Sequence, residues 1–176
     1  MVAPRTAALG IGGSLFSPWR SSRLVEQTLT FLAAAGARTE LLELSSLSAD
    51  GLLARRPDAA VEAALRKLAE ASILVVGTPI YRASYTGQLK AFFDLMPREA
   101  LAGKVVGLIA TGAGPTHLLA VDHGLRPLVA SLGGLSAARA VYATDAELGG
   151  LPAEPIPEPI CEQLRALADE LRALCA

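Results

Sequence analysis

The sequence predicts an α/β fold, a doubly wound five-stranded parallel sheet with helices on both faces, from three observations. Short apolar runs alternate with amphipathic stretches five times over. The runs, SILVVG being the clearest, are apolar at consecutive positions, as expected of strands covered on both sides by helices. The chain has 176 residues, which suits one well-buried α/β unit, so residues 1–176 are read as a single domain.

The first strand is expected at residues 7–11, the second at 39–44, the third at 73–77, the fourth at 105–110 and the fifth at 138–142. Helices are expected at residues 22–35, 58–71, 86–95, 116–132 and 160–174, each with apolar side chains at helical spacing. Five such units match the flavodoxin-like winding, whose ligands bind outside the carboxyl ends of the strands. The segment GGLPAEPIPEP, residues 149–159, reads as an extended surface connection to the last helix.

Composition narrows the function classes. Hydrophobic residues make up 52% of the chain, but no apolar run approaches the roughly 20 residues that cross a bilayer. The first 13 residues lack the long apolar centre of a signal peptide, so the expected compartment is the cytoplasm. Sixteen Lys and Arg against seventeen Asp and Glu give a net charge of −1, with no basic tract for a nucleic-acid backbone. Neither nucleic acid nor a membrane is an expected partner. Cys161 and Cys175 fall on one predicted helix, about 21 Å apart, which is beyond disulfide reach. They read as reduced structural thiols.

Three loops follow strands that should lie side by side. The first, GIGGSLFSPWRSSRL, lacks GxxxxGK[ST], and it fails GxGxxG because Leu15 stands at the third glycine position. It offers Ser14, Ser17, Arg20, Ser21, Ser22 and Arg23 at the start of a helix, a set suited to one phosphate monoester. The plainer alternative is that Ser21 or Ser22 caps the helix and Ser14 makes a turn. The second loop lies in GTPIYRASYTGQLKAFFDLMP, where Pro79 should end the strand and deliver Ile80 and Tyr81 to the sheet edge. Thr86 is placed to cap the next helix, and Lys90 and Asp94 are spaced as an i,i+4 pair on its surface. The third loop, in ATGAGPTHLLAVDHGLRP, begins with Thr111, Gly112, Ala113 and Gly114, which present backbone donors with little side-chain bulk. One loop thus suits a phosphate, and two suit a flat ring with polar edges.

The stretches TPIYRASYTGQLKAFFDLMPREALAGKVV and ATGAGPTHLLAVDHGLRPLVASLGG resemble the NAD(P)H-dependent FMN reductase family, and most closely its alkanesulfonate-utilisation members. The resemblance implies that Ser14, Ser21, Ser22 and adjoining backbone, with Arg20 nearby, hold the FMN phosphate. It implies that Pro79, Ile80 and Tyr81 border the isoalloxazine, with Thr111, Gly112 and Gly114 along its other edge. FMN and NAD(P)H are the implied cofactors, and hydride passes between them without a side-chain acid or base or a metal. His117 and His123 are the only histidines and show no metal or nucleophile partners.

In the resembling sulfonate enzymes a Tyr associated with a helical insertion stands where this chain has His123. Gly124 and Pro127 predict a local bulge or kink there whichever residue occupies position 123. The resemblance implies that this region packs at a subunit interface and influences flavin release, with Lys90 and Asp94 as further interface candidates in a homo-dimer or homo-tetramer. The implied role is supply of reduced flavin to a partner monooxygenase. An FMN-retaining quinone or azo reductase and a flavodoxin-type electron carrier are the alternatives.

Overall fold

A computed structural model describes residues 6–16, 19–149 and 155–175. Five strands, β1 (Ala7–Gly12), β2 (Arg38–Glu43), β3 (Ile73–Pro79), β4 (Val105–Gly112) and β5 (Leu135–Thr144), pair in parallel in the order β2-β1-β3-β4-β5. This is the flavodoxin-like order, and its reversal beside β1 opens a crevice at the carboxyl ends of β1 and β3.

The helices are α1 (Arg20–Ala34), α2 (Ala49–Leu52), α3 (Ala59–Glu70), α4 (Gly87–Asp94), α5 (Arg126–Ser131), α6 (Asp145–Leu148) and α7 (Glu158–Cys175). Side chains alternate along β3 and so feed two cores. Ile73 and Val75 pack with Leu24, Val25 and Leu29 of α1 and with Leu164 and Leu167 of α7. Leu74 and Val76 join Leu68 of α3, Phe92 and Phe93 of α4, and Leu125 and Val129 on the other face. The ends of α3 and α4 follow from their caps. Asp58 accepts from Ala60 N at 2.9 Å and Val61 N at 3.1 Å, and Thr86 accepts from Leu89 N at 3.2 Å. None of the helices described is long and apolar enough to cross a membrane.

The structure departs from the sequence reading at several places. Pro79 does not leave the sheet: it is the last residue of β3, paired with Thr111. It is tolerated because pairing of β3 with β1 ends at Gly12 and Gly77, while the next amide, Ile80 N, donates to Thr111 O at 2.7 Å on the β4 side. Thr111 and Gly112 accordingly close β4 instead of opening a loop. The fifth strand runs from Leu135, aided by a register shift opposite Val106 and Leu108.

The single helix expected over residues 116–132 is three pieces: a 3-10 turn (Pro115–Leu118), a π-helix (Val121–Leu125) and α5. The irregularity expected around Gly124 and Pro127 is therefore a π-bulge. α2 and α6 were not anticipated. Ser17 lies outside the described residues, as does part of the 149–159 connection. Cys161 and Cys175 are both free on α7, and burial raises the Cys161 thiol pKa.

Candidate functional site

The carboxyl ends of β1, β3 and β4 lie next to one another, and the three loops singled out by sequence leave from them. Gly13 N donates to Gly77 O at 2.7 Å, which ties the first loop to β3. The Thr86 hydroxyl, buried at the start of α4, donates to Gly13 O at 2.5 Å. The same oxygen caps α4, so one side chain fixes the second loop against the first. Ser14 is fully buried, and its Oγ accepts from Phe16 N at 3.1 Å, so it makes a turn. That bond leaves its hydroxyl hydrogen free for another acceptor.

Ser21 and Ser22 do not cap α1. The N-cap is Trp19, whose side chain makes no capping bond, and both serines lie inside the first turn. They are 0% and 2% exposed, and neither Oγ has a hydrogen-bond partner. A buried, unpaired hydroxyl costs free energy, and two in the first turn of one helix suit an acceptor from outside the chain, although within it the Glu43 carboxyl lies beside Ser22. The first turn of α1 carries no acidic residue, so its exposed amides and positive dipole end add to the attraction for an anion. Arg20 lies at the same end, 5.5 Å from the Trp19 ring centre, reaching Gly149 O at 3.3 Å and Asp145 at 3.8 Å. Its Nε is buried without a partner.

The second loop is a tight reversal. Tyr81 N donates to Ser84 O at 2.9 Å and Ser84 N returns to Tyr81 O at 3.1 Å, while Arg82 and Ala83 take φ of 52° and 64°. Positive φ at both central positions matches a I′ turn, a conformation non-glycine residues adopt at a cost. Ile80 is buried and Tyr81 is 37% exposed at the edge. Burial first, and the Asp145 carboxylate second, raise the Tyr81 phenol pKa, with Arg20 opposing.

The third loop is held from behind by β5. The Tyr142 hydroxyl donates to Gly114 O at 2.6 Å, and a Cβ at Gly112 would stand 2.7 Å from that hydroxyl and 2.9 Å from His117 Nδ1. A larger residue at position 112 would have to displace the Tyr142 hydroxyl or the His117 ring. Thr111 is buried, and His117 Nδ1 is buried without a partner. Burial, then Asp145 and Glu147, raise the Tyr142 phenol pKa, so it stays a donor at neutral pH.

The structure thus brings together Ser14, Arg20, Ser21, Ser22, Pro79, Ile80, Tyr81, Thr111, Gly112 and Gly114. His123 stands apart, exposed on the π-helix, where Asp122 pairs with Arg126 at 2.8 Å and Gly124 lies against the Tyr85 ring. Lys90 and Asp94 form an exposed ion pair at 2.5 Å on α4. The groove of about 530 Å³ bounded by Ala7, Arg38 and Arg66 lies at the opposite, amino ends of the strands. Sequence reasoning missed Tyr142 and the reach of Thr86 to Gly13, both of which are long-range contacts.

A profile of the NADPH-dependent FMN reductase family matches residues 6–148. The FMN reductase (NADPH) of Pseudomonas putida KT2440 is 36% identical over 141 residues, covering 80% of this chain and 72% of that protein. The NADH-dependent FMN reductase SfnF of Pseudomonas fluorescens Pf0-1 is 33% identical over 163 residues, covering 89% and 86%. Among solved structures, the apo form of the NADH:FMN oxidoreductase EMOB superposes with a TM-score of 0.87 at 31% identity, over 96% of this chain and 89% of that one. A Streptococcus pneumoniae TIGR4 flavodoxin, with a TM-score of 0.67 at 17% identity, covers 96% and 98% and shares the fold. The chain belongs to the NADPH-dependent FMN reductase family.

Proposed function

We propose that this NAD(P)H-dependent FMN reductase binds FMN across the three strand-end loops, reduces it and releases it to a separate flavin-dependent monooxygenase of the sulfonate-assimilation type. The observation that carries the site assignment is the pair of buried, unpartnered hydroxyls of Ser21 and Ser22 in the uncapped first turn of α1. They fit a phosphate monoester, with Ser14 and the α1 amides as further donors and Arg20 as a nearby positive charge. Ile80 and Tyr81 border one edge of the ring, and the backbone from Gly112 to Gly114 borders the other. Held there, FMN would supply the redox chemistry as acceptor of the hydride from reduced nicotinamide.

The residues of the chain position and shield. Thr86 locks the phosphate loop to α4, and Tyr142 holds the ring loop in place. Tyr81, partly exposed at the tip, flanks the open side over which the nicotinamide stacks. No side chain is assigned a proton-transfer role. The hand-off to a monooxygenase rests on the resemblance to alkanesulfonate-utilisation enzymes and on the irregular π-segment that follows the ring loop. The protein acts in the cytoplasm as a homo-oligomer on this reading.

The test is oxygen-free oxidation of NADH and of NADPH with FMN, FAD or riboflavin as acceptor. FMN is expected to be the preferred acceptor, because the serine loop accepts a terminal phosphate and must be passed by an adenylate. Equal or better use of FAD would contradict the phosphate assignment.

A further inference from the structure

We propose that Glu43 is a positioning residue for the phosphate site: its carboxyl group decides where the single hydrogen of the Ser22 hydroxyl points, so that binding a phosphate monoester takes up one proton. The inference rests on the reading of Ser21 and Ser22 as phosphate donors and adds to it a residue from a strand that none of the three loops includes.

Glu43 is the last residue of β2 and is paired in register with Gly12, the last residue of β1. A Cβ at Gly12 would overlap Glu43 Oε2 and stand 2.9 Å from Ser22 Oγ. Both polar atoms therefore converge on the bare face of this glycine. The Ser22 hydroxyl lies beside the carboxylate and favours its ionised form, yet no alignment between them meets hydrogen-bond geometry, and Ser22 Oγ and Glu43 Oε2 are each buried without a partner.

A hydroxyl has one hydrogen to give. If Glu43 is ionised, its carboxylate is the nearest strong acceptor for that hydrogen, and a second negative charge stands beside the phosphate. If Glu43 is protonated, its O–H donates to Ser22 Oγ and the Ser22 hydrogen is free for a phosphate oxygen. The proton comes from solvent and ends on the Glu43 carboxyl, so the phosphate keeps its own ionisation.

The surroundings favour this protonation. From α1, Glu26 adds a like charge, and Ser22 is the only opposing influence of note. Arg23, also on α1, is the cation of that helix next to Ser22, and its buried Nε has no partner. From α4 the nearby group is neutral: Gln88 donates to Leu44 O at 2.6 Å, one residue beyond Glu43. From β1 comes Gly12, without a side chain. Burial is the largest cause raising the Glu43 pKa above its ordinary value.

The experiment is calorimetric titration of the flavin-free protein with FMN in pairs of buffers of different ionisation enthalpy, between pH 6.5 and 8, with riboflavin as control. All of that range lies above the second phosphate pKa of about 6, so the protons counted are mainly the protein's. The wild-type protein should take up a fraction of a proton, rising toward one, with FMN and none with riboflavin. Its Kd for FMN should rise by up to about tenfold per pH unit in that window. Glu43→Gln, whose amide keeps a donor toward Ser22, should bind FMN without proton uptake and without that slope. Equal proton uptake by the wild type and Glu43→Gln, or none by the wild type, overturns the proposal. If Ser22→Ala leaves FMN affinity unchanged and FMN binds no better than riboflavin, the phosphate reading itself fails. If Ser22→Ala weakens FMN about tenfold or more while riboflavin is unaffected, that reading stands whatever Glu43 does.

Discussion

The hydroxyl of Tyr142, on the last strand of the sheet, donates to the carbonyl of Gly114 at 2.6 Å, across 28 residues of sequence. It thereby fixes the loop that follows β4 from the neighbouring edge strand. Tyr142→Phe should cost about 1 kcal/mol of stability, as for one lost hydrogen bond. In the proposed site this loop faces the ring and not the phosphate, so FMN and riboflavin should lose affinity by the same factor in fluorescence titrations. A loss confined to FMN would place this loop elsewhere.

Replacing Ser21 and Ser22 together by Ala should weaken FMN binding by about 2 to 4 kcal/mol, at roughly 1 to 2 per charge-assisted hydrogen bond. Riboflavin should bind as before. The flavin-free variant should melt no earlier than the parent, because the hydroxyls removed have no partners there. An earlier melt with equal losses for both flavins would return the serines to a purely structural role.

The local parts of this architecture were legible in the sequence. Alternating apolar runs located all five strands, Thr86 announced the start of α4, and Gly124 with Pro127 announced the broken helix that proves to be a π-turn. The capping box of α6, Thr144 with Glu147, was equally readable in T-D-A-E and was overlooked. Pro79 misled because the rule against proline in central strands assumes neighbours on both sides, and β1 has already ended there. The unread part of the site is non-local. Thr86 meets Gly13 across 73 residues, and Glu43 meets Ser22 only because the strand order sets β2 beside β1.

The Glu43 carboxyl also makes stability depend on pH. Its folded pKa is raised above the ordinary 4.5, chiefly by burial, so the folded state favours the protonated form. Below pH 4.5 the group is protonated in both states and carries no penalty. As pH rises through the folded value, the native protein must bury the charge and loses stability. Glu43→Gln should therefore raise the melting temperature of the flavin-free protein at pH 7 to 8 and leave it unchanged near pH 4. A gain of equal size at both pH values would mean that packing, not charge, is responsible.

Deleting His123 should convert the π-helix (Val121–Leu125) to a regular α-helical register. The segment is anchored at its far end, where Arg126 donates to Ala137 O at 2.6 Å and Ala138 O at 2.7 Å, so the adjustment must fall on the side of the ring loop. The deletion is expected to tighten FMN retention and suppress turnover with free FMN, whereas His123→Tyr should leave turnover largely intact. Flavin content after gel filtration, set beside the rate with added FMN, reads both effects. Unchanged retention in the deletion variant would separate the π-helix from flavin release.

In the proposed function, flavin enters this enzyme as a substrate and leaves it reduced. The most direct test is the rate of NADH and NADPH oxidation by protein freed of loosely bound flavin on gel filtration, measured against added FMN. The protein is expected to emerge largely flavin-free, to be nearly inactive alone, and to show a rate that rises to saturation with FMN. A protein that keeps a full complement of FMN, ignores added flavin and readily reduces a quinone would contradict that function.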